Sequence, residues 1–196
     1  MKTLPKELMK KHVALAIESG EKTLETCADD VERAAAVLLG TIRGGGKILA
    51  CGNGGSAVTA QRLVTELIGG KPRTNHPAER KPLPAISLSA SAPILTAISN
   101  NYGFERVFSR QVEALGKPGD ALVAITTSGS SKNVVGAAQA ARMKEMKVVG
   151  LTGATGGGLV PHCDACVRIP TKDAYLAQEA HMAIIAVWSE FLEANA

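Results

Sequence analysis

Two segments of the chain carry residue types that can hold a phosphate group. Residues 51–56 read Cys-Gly-Asn-Gly-Gly-Ser, and residues 126–131 read Thr-Thr-Ser-Gly-Ser-Ser. Each follows a short apolar run and leads into a segment with helical spacing of apolar residues. A turn from a strand into a helix presents backbone N–H groups and the positive end of the helix dipole, and both suit an anion. The pair predicts an anion site, although an ordinary helix cap is the simpler alternative for each segment.

The cysteines offer a second, weaker candidate for chemistry. Cys163 and Cys166 form a lone C-x-x-C pair with His162 beside it, whereas Cys27 and Cys51 fall at core or near-core positions. A structural zinc site requires a second pair of ligands, and none stands near in sequence. The pattern therefore does not favour a metal or redox role for this pair.

The periodicity along the chain alternates between helix and strand. Two leading helices are predicted at 5–26 and 30–42, with Asp29 or Asp30 as a cap and the glycines at 44–46 as a stop. Strands are predicted near Ile48 and at 84–88, 121–125, 147–151 and 167–169. Helices are predicted at 57–68, 92–99, 105–115, 133–143 and 174–192. Such alternation predicts an α/β fold with a parallel sheet, in which ligands bind beyond the carboxyl ends of the strands. Both phosphate candidates fall there.

Composition limits the possible functions. The chain has 196 residues, of which 45% are hydrophobic and 20% charged, and this suits one α/β domain over 1–196. Aromatic residues at 3% and a net charge of +4 argue against direct nucleic-acid binding. A basic cluster in the predicted loop 69–82 is expected to be solvated, with attraction of an anionic substrate as the alternative; its members are Lys71, Arg73, Arg80 and Lys81. We expect neither a membrane span nor a signal peptide, and hence a cytoplasmic protein.

A co-linear set of motifs then identifies a family resemblance. The set runs from about Ile42 to the last predicted helix and comprises the segments 51–57, 83–86, 94–98, 102–105, 108–116, 127–129, 151–153 and 178–181. Together these segments resemble the sedoheptulose-7-phosphate isomerase (phosphoheptose isomerase) branch of the sugar isomerase (SIS) domain family.

The resemblance implies a fold, an assembly and a reaction. The fold would be a three-layer sandwich, with a five-stranded parallel sheet between helices and residues 1–43 as leading helices for oligomerisation. The assembly would be a homotetramer with active sites between subunits. The reaction would convert sedoheptulose 7-phosphate to D-glycero-D-manno-heptose 7-phosphate through an enediol, a step in lipopolysaccharide heptose biosynthesis.

The resemblance also implies where the phosphorylated sugar lies. The phosphate would rest on the hydroxyl residues of the second segment: Thr126, Thr127, Ser128 and Ser131. The sugar would lie against the first segment and an asparagine pair: Asn53, Gly54, Gly55, Ser56, Asn100 and Asn101. Two further helices would complete the site with Arg62, Glu66 and Gln178.

The chain departs from the zinc-dependent members of this branch. Their metal is held by a His and a Glu four residues apart and by a Gln and a His eight residues apart. Here Glu66 and Gln178 are kept, but Arg62 and Ala186 stand where the histidines would be. A guanidinium group has no lone pair to donate and alanine has no ligand atom, so we expect no metal cofactor.

The same departures leave two functions open. The first is an isomerase with Glu66 as general base, in which His181 is either a second catalytic group or, as is usual on an apolar helix, a packed residue. Arg62 would pair with Glu66 one helical turn away, as a surface salt bridge or as a fixed cation in the site. The second is a sugar-phosphate-binding or regulatory protein that has lost catalysis, similar to the bacterial replication initiator-associating protein of this fold. An activity assay with and without zinc would separate the two.

Overall fold

A five-stranded parallel sheet forms the centre of the protein. The computed structural model describes residues 5–70 and 81–196. The strands are β1 (Ile48–Gly52), β2 (Ala85–Ser87), β3 (Ala121–Thr126), β4 (Lys147–Thr152) and β5 (Ala165–Arg168). They are all parallel and follow the order β2-β1-β3-β4-β5, which confirms the predicted sheet. β1 and β3 are buried along their whole length, which explains why both read as unbroken apolar runs.

Helices cover both faces of the sheet. They are α1 (Lys6–Arg43), α2 (Gly55–Gly69), α3 (Ala92–Tyr102), α4 (Ser109–Leu115), α5 (Lys132–Met143) and α6 (Ala174–Asn195), with short 3₁₀ helices at Phe104–Arg106 and Gly157–His162. Ile48 and Ala50 face a core shared with α1, α2 and α6. Leu49 and Cys51 face a second core shared with α4 and α5. The strand alternation therefore separates two apolar layers, and the three-layer sandwich is confirmed.

The prediction of two leading helices was wrong, because α1 is continuous from Lys6 to Arg43. Asp30 lies inside this helix, where its carboxylate pairs with Arg33 instead of capping a new helix. Residues 21–39 contain neither glycine nor proline, so nothing there interrupts the helix. A cap is worth only about 1 kcal/mol, which is less than α1 gains by burying Cys27 and Leu38 on the sheet. The predicted stop was correct, since Gly44 follows the last helical residue.

The last helix holds α1 against the sheet. Trp188 of α6 is fully buried, and its indole Nε1 donates to the main-chain oxygen of Val31, 3.0 Å away. Arg43 at the end of α1 donates to the main-chain oxygen of Asn195. Within the described ranges, no helix has the length and hydropathy needed to cross a membrane. Of the predicted basic cluster, Lys71, Arg73 and Arg80 lie outside the described residues.

Candidate functional site

The two phosphate candidates lie side by side at the carboxyl edge of the sheet. β1 and β3 are neighbours, yet the chain leaves β1 toward β2 and leaves β3 toward β4. The edge between them is therefore the point where the strand order reverses, which is where open α/β sheets bind ligands. We call residues 52–56 the glycine turn and residues 126–131 the hydroxyl turn. They lead into α2 and α5, and neither helix has a side-chain cap or an acidic residue in its first turn.

The glycine turn is shaped by close backbone contacts. A Cβ atom on Gly52 would lie 2.6 Å from the main-chain oxygen of Ser56, so only glycine fits there. Gly54 has a φ of +52°, a conformation that side chains disfavour. Ser89 Oγ also donates to the main-chain oxygen of Gly52 over 2.9 Å. The turn therefore has a fixed shape before any ligand arrives.

A pair of amide side chains joins the two turns. Asn53 Nδ2 donates to Asn133 Oδ1, and Asn133 Nδ2 donates back to Asn53 Oδ1, both over 2.9 Å. Asn133 is almost completely buried at the start of α5. The sequence reasoning missed Asn133, although a polar residue directly after the hydroxyl turn was a possible signal. This pair couples the position of one turn to that of the other.

Gln178 is brought to the glycine turn by α6. A Cβ atom on Gly55 would lie 2.3 Å from Gln178 Oε1, so the side-chain amide lies directly on the glycine. The structure thus brings together three predicted site residues, Asn53, Gly55 and Gln178. Because Gly55 has no side chain, α6 can approach the start of α2 this closely.

The hydroxyl turn is a cluster of mutually bonded side chains. Thr126 Oγ1 lies 3.0 Å from Ser131 Oγ and 3.3 Å from Ser128 Oγ. Ser128 Oγ also accepts from the backbone N–H of Ser130 over 3.2 Å. Thr126 is buried, Thr127 and Ser131 are half-buried, and Ser128 is exposed. The hydroxyl groups of Thr126, Ser128 and Ser131 therefore face one another at the start of α5, and each can turn toward an incoming anion.

Arg62 and Glu66 form an ion pair further along α2. Arg62 Nε donates to Glu66 Oε1 over 2.6 Å, and the two side chains are 45% and 24% exposed. At a rise of 1.5 Å per residue, Glu66 lies about 16 Å along the helix from Gly55. The predicted pair is therefore present, but within one chain it is well separated from the glycine turn and from Gln178.

The asparagine pair lies at the far end of α3. Asn100 and Asn101 are exposed, and Asn100 Nδ2 donates to Asn101 Oδ1 over 3.0 Å. Asn101 borders a shallow depression with Tyr102 and Arg110, whose guanidinium group lies 3.7 Å from the centre of the tyrosine ring. In the described part of the chain, neither asparagine side chain hydrogen-bonds with either turn.

His181 is a core residue. Its side chain has no exposed surface, and its Nε2 lies 3.1 Å from the main-chain oxygen of Thr152. A carbonyl oxygen only accepts, so Nε2 carries the proton, and Nδ1 has no hydrogen-bond partner among the described residues. Burial lowers the pKa of this imidazole to about 4, only partly opposed by the bond to Thr152. The structure supports the packed alternative for His181 and leaves it no exposed atom with which to reach a substrate.

The fold and these turns define an α/β protein with two anion-suited turns at the strand-order reversal of a parallel sheet. A family model described as SIS domain matches residues 12–153. The chain belongs to this family, and within it to the phosphoheptose isomerase branch.

Known relatives agree over nearly the whole chain. A phosphoheptose isomerase of Rhodospirillum rubrum is 47% identical over 82% of this chain and 83% of its own. The structure of phosphoheptose isomerase GmhA from Neisseria gonorrhoeae has a TM-score of 0.88 and 36% identity, covering 96% of this chain and 98% of the other. The structure of a phosphoheptose isomerase from Francisella tularensis has a TM-score of 0.89 and 34% identity, covering 98% of this chain and 100% of the other.

Proposed function

We propose that the protein is an aldose–ketose isomerase whose substrate is sedoheptulose 7-phosphate or a related ketose phosphate. The observation that carries this proposal is the hydroxyl turn at the start of an uncapped helix, joined through Asn53 and Asn133 to the glycine turn. The hydroxyl turn suits a phosphate group, and the glycine turn with Gln178 suits the hydroxyl groups of a sugar. The relatives named phosphoheptose isomerase support the same class of reaction.

The reaction needs one group that moves protons. To convert a ketose to an aldose through an enediol, a base removes a proton from C1 while the C2 carbonyl oxygen gains one; a proton is then returned to C2 as O1 becomes the new carbonyl. Glu66 supplies a carboxylate for the transfer between carbons. Arg62 fixes that carboxylate over 2.6 Å and places a cation beside it, which can stabilise negative charge on the enediol oxygens.

We infer that Glu66 acts on a sugar bound by another copy of the chain. Along α2, Glu66 lies about 16 Å from Gly55, so the base and the glycine turn of one chain are far apart. Apolar side chains are exposed on the first half of α1, and this surface supports assembly; they are Leu8, Met9, Val13, Ile17 and Leu24. A homotetramer, as the family resemblance implies, would place sites between subunits.

Mixing two inactive variants tests this arrangement. Glu66→Gln removes the base, and Ser128→Asp places a repelling charge in the hydroxyl turn. When the two variants are unfolded and refolded together at equal ratio, about one quarter of the sites should combine an intact base with an intact turn. Proton NMR of sugar conversion should detect this recovery, and each variant refolded alone serves as the control. No recovery in mixed oligomers, or a monomer mass by light scattering, would contradict the between-subunit site.

We propose that this isomerisation proceeds without zinc. The described residues do not fit the metal, because the guanidinium group of Arg62 occupies a Glu66 oxygen and Ala186 has no donor atom. Conversion of sedoheptulose 7-phosphate should therefore be the same in added zinc and in a chelator. Activity that is lost in the chelator and restored by zinc would overturn the metal-free site.

A second candidate function rests on the same ion pair. If Arg62 holds the Glu66 carboxylate too firmly for proton transfer, the protein would bind a sugar phosphate and regulate another process without converting it. Calorimetric binding of sedoheptulose 7-phosphate with no conversion, in either zinc or chelator, would favour this candidate over the isomerase.

A further inference from the structure

Two cysteine thiols meet in one small space beside β5, away from the proposed isomerase site. Cys166 pairs in register with Gly150 of β4, and Cys163 lies just before β5. A Cβ atom on Gly150 would lie 2.8 Å from Cys163 Sγ and 2.9 Å from Cys166 Sγ. Both sulfur atoms thus occupy the space that a side chain at residue 150 would fill. The two thiols are close enough that each shifts the pKa of the other.

These two cysteines differ from the other two in exposure. Cys27 and Cys51 are buried, whereas Cys163 and Cys166 are only partly buried. The pair borders an open depression with the guanidinium groups of Arg33 and Arg168 beside it. The carboxylates of Asp30 and Asp164 line the same depression, and Asp30 pairs with Arg33, so its positive and negative charges balance. A small solute can therefore reach these sulfur atoms whatever its charge.

The surroundings give the two thiols different roles. The hydrogen bond from Cys163 and the nearby Arg168 lower the pKa of the Cys166 thiol, against the opposing effect of burial. The same hydrogen bond and burial raise the pKa of Cys163. The single proton of the Cys163 thiol can point either to Cys166 Sγ or to the main-chain oxygen of Leu159, 3.4 Å away. Cys166 is thus the readier nucleophile, and Cys163 keeps its proton.

We propose that Cys163 and Cys166 form a reversible disulfide within one chain by exchange with a low-molecular-mass disulfide. The Cys166 thiolate attacks one sulfur of that molecule, which forms a mixed disulfide and releases one small thiolate. Cys163 then loses its proton and attacks Cys166 Sγ, which releases the second small thiolate. Two protein thiols are oxidised by two electrons in total, and the small disulfide is reduced to two thiols.

A metal site explains the pair less well than exchange does. Across residues 5–70 and 81–196, no three His, Cys, Asp or Glu side chains converge as metal ligands. A closed zinc site takes four ligands, and two thiols alone do not provide it. Two close, accessible thiols of unequal acidity are instead the arrangement that thiol–disulfide exchange uses.

The test uses the full chain in glutathione buffers of stepped oxidised-to-reduced ratio. After equilibration, acid quenching and alkylation, mass spectrometry should show one disulfide that joins Cys163 to Cys166 and disappears in reduced glutathione. Cys27 and Cys51 provide an internal control, because both should stay reduced and become alkylated only after denaturation. A pair that stays reduced in fully oxidised glutathione, or that links different chains, would overturn the proposal.

Two single variants test the order of attack. Cys163→Ser should trap glutathione on Cys166, because the resolving thiol is missing. Cys166→Ser should form mixed disulfide at least about tenfold more slowly, since the thiol that remains is the weaker acid. The reverse pattern, with faster capture in Cys166→Ser, would overturn the assigned roles. None of these readouts depends on isomerase activity, so failure of the proposed function leaves this test intact.

Discussion

The hydroxyl turn and the Arg62–Glu66 pair represent two ways of preparing a site. In the hydroxyl turn, Thr126 and Ser131 bond to each other at a helix start, so one chain already positions the donors of the proposed phosphate site. On α2, the Arg62–Glu66 ion pair lies on a partly exposed surface, and in the proposed function a second copy of the chain supplies the sugar. Under the proposed function, one chain preorganises phosphate binding, whereas proton transfer depends on the subunit that faces Glu66. The following variants are directed at one region or the other, or at the link between them.

The largest effect is expected at Glu66. In the Glu66→Gln variant the amide cannot accept a proton at neutral pH, so turnover should fall on the order of a hundredfold or more. Proton NMR of sedoheptulose 7-phosphate conversion measures this, while calorimetry should show binding of the sugar phosphate within about threefold of the parent value. Glu113→Gln is the matched control, because Glu113 also pairs with an arginine, Arg106, on an exposed surface. Equal turnover in the two variants would remove Glu66 from the mechanism.

The next effect concerns the contacts that connect the hydroxyl turn, through α6, with the glycine turn at the start of α2. His181 on α6 donates to the main-chain oxygen of Thr152. The next residue, Gly153, donates its N–H to the main-chain oxygen of Thr127 in the hydroxyl turn. Gln178, also on α6, covers Gly55 in the glycine turn. Burial lowers the pKa of His181 from 6.5 to about 4, so the unfolded chain binds this proton at a higher pH than the folded one. Its contribution to stability is therefore complete above pH 6.5 and is lost as the pH falls toward 4. This change in pKa corresponds to a loss of about 3 kcal/mol in the free energy of unfolding.

Denaturant unfolding at several pH values between 7 and 4 measures that loss. His181→Gln keeps a donor for the Thr152 carbonyl oxygen but does not titrate, so its stability should vary less with pH over this range. If the variant and the parent protein lose stability in parallel, another group is responsible for the pH dependence.

A smaller effect is expected in the hydroxyl turn. Ser128→Ala removes one hydroxyl donor while Thr126, Ser131 and the start of α5 remain, so binding of a phosphorylated sugar should weaken by roughly tenfold. Titration calorimetry with the phosphorylated sugar and with the same sugar lacking phosphate separates the contributions. The unphosphorylated sugar should bind both proteins equally weakly. Equal affinity of the parent protein for both sugars would show that this turn is not a phosphate site.

The sheet was predictable from sequence, and the long-range contacts of the site were not. The apolar runs near Ile48 and Leu122 predict buried parallel strands, and each turn follows its strand directly, so their shared edge follows from topology alone. The amide pair of Asn53 and Asn133 joins residues 80 positions apart, and no local pattern reveals it. Asp30 fits the local rule for a helix cap, but packing against the sheet kept α1 intact. The separation of Glu66 from Gly55 could have been predicted, because helical rise fixes it.

The smallest change in the free energy of unfolding is expected for a double variant designed to bind zinc. Arg62→His combined with Ala186→His removes an ion pair that is worth a few tenths of a kcal/mol, because both of its side chains are partly exposed. Without metal, the double variant should therefore unfold within about 0.5 kcal/mol of the parent protein. One chain holds Glu66 and Gln178 far apart, but in the proposed assembly the two new imidazoles would join a Glu66 carboxylate and a Gln178 amide, so elemental analysis should find about one zinc per chain. The single variant Arg62→His is the control and should retain less metal. If the folded double variant binds no zinc, residues 62 and 186 do not face a common point in the assembled protein, and Arg62 does not stand in the place of a lost metal ligand.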